Sequence, residues 1–129
     1  MMRSAMTRWP VAALPFVVAA CAVDTIQPDV PKAVEAFPIA PYEIHEECAQ
    51  LVPGDRLDFH FEATSPVIFQ LYYKEGVTFI APMSQSDVRE FGGLFTPQLP
   101  RRYCLQWESG QQGALVDYRI RWRRGSNPS

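Results

Sequence analysis

From Val116 to Arg123 apolar and polar residues alternate without a break, with Val116, Tyr118, Ile120 and Trp122 on one side and Asp117, Arg119, Arg121 and Arg123 on the other. Successive side chains of an extended chain point to opposite faces, so this run predicts a β-strand with one dry face and one wet face. The same period recurs in Leu57, Phe59 and Phe61 against Asp58, His60 and Glu62, in Val67, Phe69, Leu71 and Tyr73, and in Tyr103, Leu105 and Trp107. Turn residues separate the runs: Thr64-Ser65-Pro66, Glu75-Gly76, Gly92-Gly93 and the Ser109 to Gly113 stretch. Short strands are also expected over Val77 to Ala81 and Leu94 to Thr96, with the polar run Pro82 to Glu90 connecting them. No segment has convincing helical periodicity. The expected fold is all-β, a small antiparallel β-sandwich of six to eight short strands.

The N-terminal end is organised differently. A basic head, Met1 to Arg8, precedes an apolar run, Pro10 to Ala20, of 11 residues. Spanning a bilayer as a helix takes roughly 20 residues, so the run reads as the apolar part of a leader and not as a membrane span. Val18-Ala19-Ala20-Cys21 is similar to the lipobox of bacterial lipoproteins, an aliphatic residue and two small ones before a cysteine. That resemblance implies that residues 1–20 are a signal peptide and that Cys21 carries a diacylglyceryl group on sulfur and becomes the mature N-terminus. Its new amine is then usually acylated as well, and two or more chains anchor a protein durably. Ala22 follows where an Asp would favour inner-membrane retention, which implies the outer membrane, facing the periplasm. An ordinary secretory leader with an incidental cysteine is the alternative.

Removing residues 1–20 leaves 109 residues (129 − 20), enough for one modest core. The leader takes Arg3 and Arg8 with it, so the formal charge goes from −2 to −4 (−2 − 2), a balance that argues against general nucleic-acid binding. Residues 21–41 contain Pro28, Pro31, Pro38 and Pro41 and more acids than bases, and are expected to be an extended tether. Residues 42–124 are then the folded domain and 125–129 a mobile tail. The chain has three cysteines. If Cys21 is acylated, Cys48 and Cys104 remain as a pair for a disulfide in an oxidising compartment, two separately buried thiols being the alternative.

The order of features over about Tyr42 to Arg124 resembles the GOLD domain, a small jelly-roll-like β-sandwich of secretory-pathway and scattered bacterial proteins. The resemblance is carried by Cys48-Ala49-Gln50-Leu51 with Pro53-Gly54-Asp55, by Pro66-Val67-Ile68-Phe69, and by Gly93-Leu94-Phe95 before Tyr103-Cys104-Leu105-Gln106-Trp107. It implies a disulfide between Cys48 and Cys104 and a general protein-binding habit. Glu108 stands where the family commonly has Asn, and the membrane helix and cytoplasmic tail of the eukaryotic cargo receptors have no counterpart, so their trafficking role is not carried over.

Candidate chemistry is sparse. His45 and His60 are the two imidazoles, both among acids and neither in a metal-ligand spacing. His60 is expected to point outward on its strand. Asp58 and Glu62 fall about 14 Å apart along one strand face, too far for a glycosidase pair. No serine sits in a nucleophile elbow. The most suggestive polar feature is Arg119, Arg121 and Arg123 at about 7 Å intervals on one face. They either dock an anionic lipid, polymer or protein, or pair with Asp58 and Glu62 from a neighbouring strand. The expected function is that of a lipid-anchored, non-enzymatic envelope protein with no cofactor and no resident metal, contacting a protein or envelope polymer. A periplasmic small-ligand or metal-binding protein using His45, His60 and nearby acids is the alternative.

Overall fold

The computed structural model describes residues 24–125. The leader, Cys21 and residues 126–129 lie outside the described residues. Six strands are formed: β1 (Lys32–Ile39), β2 (Ile44–Leu51), β3 (Arg56–Glu75), β4 (Thr78–Phe95), β5 (Arg101–Ser109) and β6 (Ala114–Arg123). Every pairing between them is antiparallel.

β3 organises the rest. One of its edges pairs with β4 from Leu57 opposite Phe95 to Glu75 opposite Thr78. Its other edge is divided, with Arg56 to Ala63 bonded to β6 and Val67 to Tyr72 bonded to β5. The division falls at Thr64-Ser65-Pro66, where the register against β4 also shifts. Proline has no amide hydrogen to give to a ladder, and extra residues at such a shift bend the strand. The hydrogen-bonded sheet therefore splits into two facing halves. One contains β1, β6, the first part of β3 and the last part of β4; the other contains β2, β5 and the remaining parts of the same hairpin. The turns after β1 and after β5 carry the chain from one half to the other.

Between the halves lies an aromatic core. Trp107 of β5 stacks on Tyr118 of β6 with ring centroids 4.8 Å apart, although these strands share no hydrogen bonds. Phe61 and Phe69 meet at 5.1 Å across the bend of β3, and both rings meet Trp107 at 5.8 Å. All the residues expected inside from their alternation, Phe59, Phe61, Phe69, Tyr103, Trp107, Tyr118 and Trp122, are buried, and Tyr73 is partly buried against them. The fold is the expected all-β antiparallel sandwich, with two strands much longer than expected: β3 has 20 residues and β4 has 18.

Three expectations need correction. Pro82 to Glu90 is not a connection but the middle of β4, which tolerates Pro82 and the left-handed Asp87 (φ 57°) because its outer edge carries no partner among the described residues. The described part of the expected tether is also folded. Thr25 and Ile26 donate their amides to the Cys48 carbonyl (3.0 and 3.2 Å), and the Gln50 amide donates to Asp24 Oδ2 (3.0 Å), so residues 24–26 cover the outer edge of β2. The chain then crosses to the other half, where the Asp29 amide donates to the Trp122 carbonyl, and continues as β1 paired with β6. β1 is an edge strand with a bulge at Ala36 (φ 50°), whose amide donates to Asp117 Oδ1, and edges and bulges are where strands accept proline. The beginning of the expected tail is likewise held, the Gly125 amide donating to Asp55 Oδ1 at 3.0 Å.

Ile26 separates a folded strap from a tether, because its side chain is 1 % exposed and joins the main core. Ile26→Ala is expected to lower stability by about 2–4 kcal/mol in denaturant unfolding, whereas a tether residue would change it by less than about 0.5 kcal/mol.

Candidate functional site

The outer face of the β6 half presents the charged residues in register. Across β6 and β3, Arg123 lies opposite Arg56, Arg121 opposite Asp58, Arg119 opposite His60 and Asp117 opposite Glu62. On the far side of β3, Glu90 lies opposite Glu62, Gly92 opposite His60 and Leu94 opposite Asp58. The face thus runs from a cationic end, Arg56 and Arg123, to an acidic end, Glu90, Glu62 and Asp117. Arg119, Arg121 and Arg123 are all exposed, and none forms an ion pair within 4.0 Å among the described residues. β3 and β6 are neighbours, yet Asp58 does not close on Arg121 and Glu62 faces an acid. A shallow trough of about 420 Å³ runs between Arg119, Arg121, Asp58 and His60, and Gly93, lacking a side chain, forms part of its wall.

A second polar group closes the seam where the edges of β1 and β2 approach. Glu47 is 2 % exposed, and its Oε2 takes Lys32 Nζ at 2.5 Å and the Tyr118 hydroxyl at 3.1 Å. The Tyr118 hydroxyl has a single proton to give, so His45 Nε2, 2.9 Å away, acts as donor to its oxygen. The His45 ring stacks on Phe37 of β1 at 3.9 Å, with Trp107 on its other flank at 5.9 Å. Burial pushes the His45 pKa below 6.5 despite the opposing pull of Glu47, with Lys32 adding to the depression and Glu46 opposing it. Burial, reinforced by Glu47, pushes the Tyr118 hydroxyl well above its ordinary range.

The opposite outer face carries the disulfide. Cys48 and Cys104 are directly paired across β2 and β5, with Cα atoms 4.1 Å apart, and a disulfide joins them. Tyr72 packs on it, and its hydroxyl donates to the Glu46 carboxylate at 2.9 Å, as does Gln106 Nε2 at 3.0 Å. Burial first, then the bond to Glu46, pushes the Tyr72 pKa up to about 12. The Phe79 ring packs against Tyr72 at a tilt of 52°, with centroids 5.3 Å apart. On this face Tyr72 is buried and Ile68 is exposed.

The residues considered together in the sequence are therefore dispersed. His45 and Glu47 face the seam, Glu46 faces the disulfide side, and His60 lies on the charged outer face of the other half. What sequence reasoning missed is Glu90, whose Oε1 lies 3.1 Å from His60 Nε2. It sits in the segment read as a connection. Had Phe91 and Val88 been taken as strand positions, the cross-strand relation was available.

No protein-family model matches this chain, and no curated protein matches it. Among solved structures, the solution structure of a de novo designed double-stranded beta-helix is similar with a TM-score of 0.31 and 20% identity, covering 72% of this chain and 95% of that one.

His45 gives the seam a pH signature. With its folded pKa below the unfolded 6.5, the native chain holds fewer protons on this group than the unfolded chain. Its contribution to stability is present above pH 6.5 and is lost as pH falls through the folded value. Thermal unfolding from pH 7.5 downward is expected to show Tm falling more steeply below pH 6.5 in the wild type than in His45→Gln. Parallel curves would contradict this.

Proposed function

We propose that this chain is a lipid-anchored, non-enzymatic binding module of the bacterial envelope that docks an anionic partner, an envelope polymer or an acidic protein, on the outer face of its β6 half. One observation carries the reading: Arg119, Arg121 and Arg123 project in a line from a rigid strand without ion-pair partners among the described residues. Arginines arranged only for solubility would gain from closing on Asp58, which is already opposite Arg121. Held apart, their planar forks stay available to carboxylate, sulfate or phosphate groups, which they bind in bidentate fashion.

The non-enzymatic reading is supported by the dispersal of the imidazoles. His45 is committed to Tyr118 and to ring stacking, and His60 lies on the opposite side of the sheet from it, so the two do not converge on one reacting atom. The Cys48–Cys104 disulfide, joining a strand ahead of the first core strand to a late one, supports the GOLD-like resemblance. The lipobox reading of Cys21 supplies the anchor. Because β1 and the strap before it are folded, the link from Cys21 to the first described residue, Asp24, is short. In this reading the domain works close to the lipid surface.

Co-sedimentation with peptidoglycan sacculi and with lipopolysaccharide is expected to retain the wild-type chain at low ionic strength and to weaken with salt. Arg119→Glu combined with Arg121→Glu is expected to lower retention at least about tenfold, with circular dichroism and Tm unchanged. Retention unaltered by the double change would refute the Arg face as the docking site. Cys21→Ser is expected to abolish acyl labelling and to release the chain from membranes; membrane retention without label would remove the anchor from the account.

A further inference from the structure

We infer that His60, Glu62 and Glu90 form a binding site for a divalent transition-metal ion of the zinc class on the outer face of the β3–β4 hairpin. Each offers one donor atom, His60 Nε2 and a carboxylate oxygen from each glutamate, and the three atoms lie within 4.8 Å of one another. His60 Nε2 and Glu90 Oε1 are 3.1 Å apart. Two ligands of a tetrahedral zinc ion, bound at 2.0–2.1 Å, are separated by about 3.3 Å. This pair already stands at that spacing, and Glu62 closes the triangle by a rotamer adjustment of an exposed side chain.

The strands account for the convergence. His60 and Glu62 are two apart on β3 and share its outer face, and Glu90 is directly opposite Glu62 on β4. Gly92 supplies the space for the imidazole: a Cβ there would come within 2.9 Å of His60 Cδ2 and of the Phe59 carbonyl oxygen. Any other residue would push the ring away from β4 and from Glu90.

Charge favours a cation at this point. Glu90, Glu62 and Asp117 form one row across β4, β3 and β6, and like charges set directly opposite repel. Neither Glu62 nor Asp117 forms an ion pair within 4.0 Å among the described residues, and Glu90 pairs with His60 alone. Arg119 faces His60 from β6, on the side away from Glu90. The donor set selects the ion. Calcium and magnesium prefer oxygen throughout, whereas one imidazole with two carboxylates suits zinc and its first-row neighbours and leaves a position open to water. This inference does not rest on the arginine docking surface: its donors come from the β3–β4 hairpin, and the two sites meet only where Arg119 of β6 lies opposite His60.

The experiment is a calorimetric titration of the purified chain with zinc chloride, in a Cys21→Ser background that removes the acylation site and leaves no cysteine outside the Cys48–Cys104 disulfide. One zinc ion per chain is expected, with a rise in Tm. His60→Ala and Glu90→Gln are each expected to weaken binding at least about tenfold, and His45→Ala to leave it unchanged. Since Glu90 is 64 % exposed, Glu90→Gln leaves the fold intact, which keeps the test sound if His60→Ala perturbs packing. Absence of binding in the parent chain, or binding equally strong in Glu90→Gln and His60→Ala, would overturn the site. Zinc binding without anion retention, or anion retention without zinc binding, tells its failure apart from that of the docking surface.

Discussion

The constraint on which this structure depends is that β3 cannot give the same edge to two partners at once. Its first half bonds β6 and its second half bonds β5, and the two partners must diverge where it bends at Thr64-Ser65-Pro66. From that divergence follow the two facing halves, the aromatic core between them, and the outward presentation of every second residue of β6. A straight β3 would make one flat sheet with a wet face where Trp107 and Tyr118 now meet, exposing about 150–250 Å² for each ring.

Dividing a sheet in this way opens a seam along its far edges, between β1 and β2, and the chain closes it without backbone pairing between them. Glu47 is the central group. A buried carboxylate stripped of partners costs several kcal/mol, so Lys32 and Tyr118 are held to it, and Phe37 and His45 seal the gap beside them. Residues 24–29 then pass from the edge of β2 to β6, and the disulfide fastens β2 to β5. Asp55 does the same at one end, accepting from the Val52 and Gly125 amides and from Trp122 Nε1. The charged outer face is thus backed by an interior fastened at each of these points.

Much of this was legible in the sequence, and the failures share one physical reason. Val116 to Arg123 announced β6, and its burial alternates residue by residue as the period required. The core aromatics followed from the same rule. β1 and β4 were misread because both are edge strands. An edge strand has a free side, accepts proline and left-handed residues, and need not alternate cleanly, so Pro31, Pro38 and Pro82 carried the appearance of a tether and a loop. Missing β4 hid Glu90 as a neighbour of His60. His45 could not be placed from sequence at all, since its neighbours Phe37, Lys32 and Tyr118 come from strands brought together only by the bend.

In the proposed function the arginine face, and not the disulfide face, meets the partner. Amide shift perturbation on the isotopically labelled chain, titrated with soluble peptidoglycan fragments or lipopolysaccharide oligosaccharide, addresses it residue by residue. Perturbations are expected to concentrate at Arg119, Arg121 and Arg123 and at their β3 neighbours Arg56, Asp58 and His60. Perturbations centred on Tyr72, Phe79 and the Cys48–Cys104 pair would contradict it.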